Sequence, residues 1–195
     1  MFESFEQYLA SNIQLAPNEL ALICSLSQTR KMNRREVLLN EGEIARHMIF
    51  NAKGLLRLFR RDEKGKEFIL KFCSENRWLV EKESYKYGRP SEVTIEALEN
   101  TELLLWKKSD FDELMASIPR FRQMMKDLGL RNQLAEQARL YHTMTATAEE
   151  KYHRFAEKQE ALLNRIPLHM VASYLGLSRE TLSRIRKQDV KTNGA

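Results

Sequence analysis

The sequence predicts an α+β fold: an N-terminal β-roll with flanking helices, one long helix, and a C-terminal helix-turn-helix. Three observations predict it. Short apolar segments with period two, separated by Gly- and Asn-containing turns, run from Val37 to Trp106. A long helical pattern without interior proline runs from Pro119 to Met144. Finally, Ile166 to Lys187 carries apolar residues at the spacing of two short helices, broken at Gly176.

Residues 1 to about 31 read as helical, with Pro17 near the start of a segment bearing Leu20, Leu22, Ile23 and Leu26. From Glu36 the period shifts toward two. Val37–Leu39, Met48–Phe50, Leu55–Phe59 and Phe68–Phe72 are strand candidates, separated by turn signals at residues 40–43, 51–54 and 62–65. The last of these is a hairpin loop with Gly65 at a left-handed position. Val93, Ile95 and Ala97 alternate with polar neighbours, and a turn at 99–101 leads into Leu103–Trp106. Many short strands at this spacing predict a small sandwich or roll.

Ser109-Asp110-Phe111-Asp112 opens another helix, and Pro119 a longer one. Two apolar stripes run along the long helix. One takes in Phe121, Met124, Leu128, Ala135 and Ala138, the other Leu130, Leu134, Tyr141 and Met144. A helix apolar on two sides needs two partners. The expected second partner is another copy of itself, giving a two-stranded coiled coil; the alternative is a helix sandwiched within one monomer. Thr147 and Glu150 form a capping box, and the helix they start is expected to run through Tyr152, Phe155, Leu162 and Leu163 into the helix-turn-helix.

In that motif Leu168, Val171, Leu175, Leu177, Leu182 and Ile185 face one small core, and Ala172 is small where the helices cross. Gly176 supplies the positive φ of the turn, and the Ser178 hydroxyl caps the second helix by accepting from residue 180 or 181. The outer face carries Arg179, Glu180, Ser183, Arg184 and Lys187. From Arg165 onward there are six Lys/Arg against Glu180 and Asp189, so most of the chain's net charge of +5 sits on this segment. A solvated face of an ordinary helical hairpin mixes signs more evenly. Concentrated positive charge on a groove-entering element points to phosphate neutralisation and double-stranded DNA.

The balance of 43% hydrophobic and 30% charged residues is that of an ordinary globular chain. No apolar run approaches the ~20 residues of a membrane span, and residues 1–7 lack the basic and apolar regions of a secretory signal. The two cysteines, Cys24 and Cys73, stand far apart without metal-ligand spacing, so they are expected as buried free thiols in a reducing cytoplasm. No metal site and no cofactor is read from the chain. There is no Gly-rich phosphate loop, and His47, His142, His153 and His169 lie apart without an obvious nucleophile, which argues against an enzyme.

The segment Leu175-Gly176-Leu177-Ser178-Arg179-Glu180-Thr181-Leu182-Ser183-Arg184-Ile185 resembles the recognition-helix motif of the CRP/FNR family of bacterial transcription regulators, and the roll, long helix and helix-turn-helix follow that family's layout over essentially the whole chain. Arg165-Ile166-Pro167-Leu168 and Ala172–Gly176 are similar to a short Bacteroidetes-type subgroup. The resemblance implies a cyclic-nucleotide-binding-like sensor roll at 1–118, a dimerisation helix at 119–144, and a DNA-binding domain at 145–195, winged-helix-like with a wing short or absent. It implies base contacts by Arg179, Glu180 and Arg184 and phosphate contacts by Ser178 and Thr181, with Ser183 and Lys187 on the same face. Arginine can fork onto guanine, glutamate can accept from cytosine, and helix N-terminal hydroxyls suit phosphate.

The resemblance weakens in the roll. Cyclic-nucleotide-binding members place a glutamate on the ribose and, about ten residues later, an arginine on the cyclic phosphate. Here those positions fall near Glu81, without a preceding glycine, and on Ser91, with Arg89 and Pro90 before it. Glu81, Arg89 and Ser91 are thus the pocket candidates, and cAMP is not expected as a tight effector. The N-terminal cysteine cluster of FNR-like members is absent too. The expected function is a cytoplasmic homodimeric regulator that reads a pseudo-palindromic operator, with RNA polymerase as a further partner if it activates. The alternative is a ligand-binding module whose C-terminal helices dock on a protein partner.

Overall fold

The computed structural model describes residues 1–193, with side chains through Asp189; Lys191 of the basic segment lies outside the described side chains, as do Gly194 and Ala195 altogether. The chain divides into two compact units: residues 1–61 with 70–130, and residues 62–69 with 131–195.

The first unit opens with helices α1 (Phe2–Asn12) and α2 (Pro17–Ser25). Pro17 starts α2, and the Glu19 carboxylate accepts from the Ala16 N–H at 2.8 Å. Residues 28–31, read from sequence as the end of a helical region, instead belong to strand β1 (Gln28–Met32). Only Met32 of that strand is buried, so no alternation marks it. The remaining strands are β2 (Val37–Leu39), β3 (His47–Lys53), β4 (Leu56–Arg61), β5 (Glu67–Cys73), β6 (Arg77–Leu79), β7 (Thr94–Ala97) and β8 (Thr101–Lys107). They form two four-stranded sheets, β1-β8-β3-β6 and β2-β7-β4-β5.

Strand alternation divides the core in two. Between the sheets lie Leu39, Ile49, Leu56, Leu58, Ile95, Leu103 and Leu105. The other face of the first sheet presents Phe50, Trp78, Leu104 and Trp106 to the helices. There Phe5 of α1 packs edge-on against Phe50 at 4.8 Å between ring centres, and Trp78 lies 5.1 Å from Trp106. The Trp106 indole N–H donates to the Ile23 carbonyl at 2.8 Å, which ties α2 to the sheet. Helix α4 (Lys108–Ser117) adds Phe111 and Leu114 to this layer, and helix α5 (Pro119–Thr145) adds Phe121 and Met124. Arg57 is buried opposite Glu96 on β7 and pairs with it at 2.7 Å, its guanidinium over the Phe59 ring.

Of the two thiols, Cys73 is fully buried and Cys24 only partly so. Burial pushes the Cys73 thiol up to about 12, so it is a neutral packing group. Short helix α3 (Lys82–Tyr87) links β6 to the region before β7 and ends at Gly88, where φ is +68°.

In the second unit, residues 62–69 form the loop and start of the β4–β5 hairpin. The Asp62 carboxylate accepts from the Lys64 and Lys66 N–H groups at 3.0 and 2.9 Å, and Gly65 takes φ +78°. After α5 come α6 (Ala148–Lys158), α7 (Glu160–Leu163), α8 (Leu168–Leu175) and α9 (Arg179–Asn193). The capping box expected at Thr147 forms, with Glu150 N–H donating to the threonine hydroxyl and the Glu150 carboxylate accepting from Thr147 N–H. The helix it starts does not continue unbroken: it stops at Gln159, whose φ of −138° and ψ of 37° are not helical. No strand follows α8 among the described residues, so no wing is seen there.

Gly54, in the turn from β3 to β4, has φ +92°, and a Cβ there would lie 2.6 Å from the Asn100 carbonyl oxygen. Backbone strain and collision both oppose a side chain. Gly54→Ala is expected to destabilise the roll by about 1–3 kcal/mol, read as a lower urea midpoint with unchanged slope.

Candidate functional site

Helix α8 ends in a left-handed turn at Gly176, φ +68°, and the Leu177 N–H reaches back to the Ala172 carbonyl at 2.9 Å. An added Cβ would meet only Thr143, at 4.0 Å, so the glycine is required by conformation and not by space. Two residues on, the Ser178 Oγ accepts the Thr181 N–H at 3.0 Å, the cap expected from the sequence. Ser178 and Thr181 hydroxyls also bond each other at 2.9 Å. One of the two hydroxyl protons remains free to be donated outward.

Helix α9 packs on α8 and α6. Val171, Ala172, Leu175, Leu182 and Ile185 are buried there with Tyr152 and Phe155, while Leu168 and Leu177 are half-buried. With that face committed, the opposite one is fixed by the 3.6-residue period. Ser178, Arg179, Glu180, Arg184 and Lys187 are exposed, and Thr181 and Ser183 are half-exposed at its margin. Glu180, Ser183, Arg184 and Lys187 line one shallow concavity together with Gln188, which the sequence reading did not single out. Its signal was available, four residues beyond Arg184 on the same face.

Two attachments of α8 have no sequence signal. The Ser173 hydroxyl donates to the Glu67 carbonyl and accepts from the Ile69 N–H, both at 3.0 Å, joining the hairpin segment 62–69 to the helix. The Tyr174 ring lies 5.6 Å from Phe155 and under the Arg139 guanidinium at 4.7 Å.

Along α5 the two expected stripes fare differently. Phe121 and Met124 are buried and Leu128 packs against the same core, but Ala135 and Ala138 are exposed, so the inner stripe ends at Leu128. The other stripe is bare: Leu130, Leu134, Tyr141 and Met144 are 55–78% exposed, and Leu140 joins them at 61%. The alternative of a helix sandwiched within one monomer does not hold for this stretch.

The roll candidates do not come together. Glu81 caps α3, its carboxylate accepting from the Ser84 N–H at 2.6 Å and the Glu83 N–H at 3.3 Å. An anion is therefore already seated on that helix N-terminus. Ser91 is buried, and its hydroxyl exchanges hydrogen bonds with the Val93 backbone at 2.9 and 3.2 Å. Arg89 is exposed and turned to Glu83 at 3.2 Å. None of these three offers a free basic group to a cyclic phosphate, so these residues do not fit that group.

Residues 29–118 match the family model of the cyclic nucleotide-binding domain. The cyclic AMP receptor protein of Thermus thermophilus is 29% identical over 178 residues, covering 88% of this chain and 81% of that one. FixK2 of Bradyrhizobium japonicum superposes with a TM-score of 0.72 at 19% identity, covering 86% of each chain. The c-di-GMP responsive global regulator CLP of Xanthomonas campestris does so with 0.74 at 14% identity, covering 92% of this chain and 93% of its own. Over most of its length the chain is similar to transcription regulators of the CRP/FNR family. The α+β architecture expected from the sequence is the observed one, with the roll, the long α5 and the helical C-terminal part in the order of the Thermus thermophilus catabolite activator protein. No helix among the described residues is long and apolar enough to cross a membrane.

Because Ser178 satisfies an otherwise unpaired N–H in the first turn of α9, Ser178→Ala should cost about 1 kcal/mol. The expected result is a lower melting temperature, largely restored by Ser178→Asp.

Proposed function

We propose that this protein is a homodimeric, sequence-specific transcription regulator that reads a pseudo-palindromic DNA operator through α9. The observation that carries this reading is the sidedness of α9. Its inner face is committed to the small core of the second unit, which leaves Arg179, Arg184 and Lys187 together on the outer face beside the hydroxyls of Ser178, Thr181 and Ser183. Arginines on such a helix suit guanine edges, Glu180 suits the cytosine amino group, and the capped N-terminus with its hydroxyls suits phosphate. Residues 145–193 are then the reading domain and 1–118 the sensor. The similarity to the cyclic AMP receptor protein of Thermus and to the global regulator CLP of Xanthomonas supports this assignment.

The exposed row Leu130, Leu134, Tyr141 and Met144 supports dimerisation through residues 119–144, since large apolar side chains left bare along a helix want a partner. Two copies would present two α9 helices to successive major grooves ~34 Å apart. A ligand in the roll would act by biasing the paired helices between two arrangements.

A mobility shift on a selected operator at two salt concentrations tests the reading. Steep salt dependence with retained sequence preference supports it, and absence of operator binding favours a module that docks on protein. Arg184→Ala is expected to lose about 1–3 kcal/mol at a single base pair; uniform weakening across all sequences would instead make Arg184 a phosphate contact. With Ser91 self-satisfied and Arg89 turned away, calorimetric titration with cAMP is expected to show no micromolar binding.

A further inference from the structure

The roll holds a cavity of about 680 Å3, a size suited to a small molecule, and neither Arg89 nor Ser91 lines it. Its floor is apolar: Leu39, Ile49, Ile95 and Leu105 contribute from both sheets. Its mouth lies between β1 and the segment entering β3, where Arg30, Arg46 and His47 line it. Lys107 stands opposite His47 in the β3–β8 ladder. Arg30 is bridged to Glu36 at 3.1 Å, whereas Arg46 and Lys107 make no salt bridge among the described residues.

Burial lowers the His47 pKa, and the positive charges of Lys107, Arg30 and Arg46 lower it further against the opposing pull of Asp110. The imidazole is neutral at pH 7 and can donate one N–H. Two carboxylates also line the cavity, and both are engaged locally: Glu43 accepts from the Asn40 N–H at 2.7 Å and Glu81 from the Ser84 N–H. Their charge disfavours a dianion such as phosphate and leaves a monoanion as the better match for the Arg46–His47 end.

We propose that this cavity binds an amphipathic carboxylate, its medium-length acyl chain on the Leu39–Ile49–Ile95–Leu105 floor and its carboxylate at Arg46 and His47. The inference rests on the roll being the sensory part of the regulator proposed above. It assigns the ligand a chemical class different from that of a cyclic nucleotide.

The test is calorimetric titration of the full-length protein with sodium decanoate, with decanol and inorganic phosphate as comparison ligands. Decanoate should bind saturably at one site per chain. Loss of a charge-assisted contact should weaken it about tenfold or more in Arg46→Ala and by a similar factor for decanol, with no binding of phosphate. Arg46 is exposed, so the variant should keep the parent melting temperature. Absence of decanoate binding, or equal affinities for decanoate and decanol or for parent and Arg46→Ala, would overturn the site. Titrations are done without DNA. Operator binding lost with decanoate affinity intact sinks the regulator reading alone; operator binding intact without decanoate affinity sinks the cavity assignment alone.

Discussion

The aromatic layer on the outer face of the first sheet is the contact on which the rest depends. Phe50, Trp78 and Trp106 come from the sheet, Phe5 and Phe111 from α1 and α4, and Phe121 from the first turn of α5. Phe121 lies 5.7 Å from Phe111 and 6.0 Å from Trp78, each edge-on. Such rings bury large areas and hold preferred geometries. The start of α5 is thus held on the sheet by rigid side chains.

Much of this was legible because function and packing share a period. The exposed face of α9 follows from Val171, Leu175, Leu182 and Ile185 being core, since a helix with one committed face has no freedom about the other. The roll strands followed from alternation punctuated by glycine turns. Strand β1 escaped because Gln28-Thr29-Arg30-Lys31 is polar and mostly exposed at a sheet edge. Strand β6 is three residues long, too short to establish a period. The break at Gln159 has no glycine or proline to announce it. The Ser173 bonds join residues 104 and 106 positions apart, a relation that no local pattern encodes.

The roll shows a different logic. The position that would carry a phosphate-binding arginine holds a serine whose hydroxyl is turned onto its own backbone, and Glu81 neutralises the adjacent helix end itself. Both polar groups are taken up by turn and cap interactions. Positive charge gathers around His47, in the cavity that Glu81 also lines.

The Ser173 clasp gives the hairpin segment an unusual standing. Loop tips with charged residues are ordinarily the places where a chain accepts insertions, tags or proteolytic nicks without harm. Residues 62–69 look like such a tip in sequence, yet they belong to the same compact unit as α8 and α9, and the chain passes between the two units at three points: after Arg61, after Ile69 and after Leu130. Lengthening or cutting the hairpin would alter two of those passages at once and release α8 from its clasp. What reads as the most expendable loop of the roll is, for anyone engineering this protein, a part of the helical second unit.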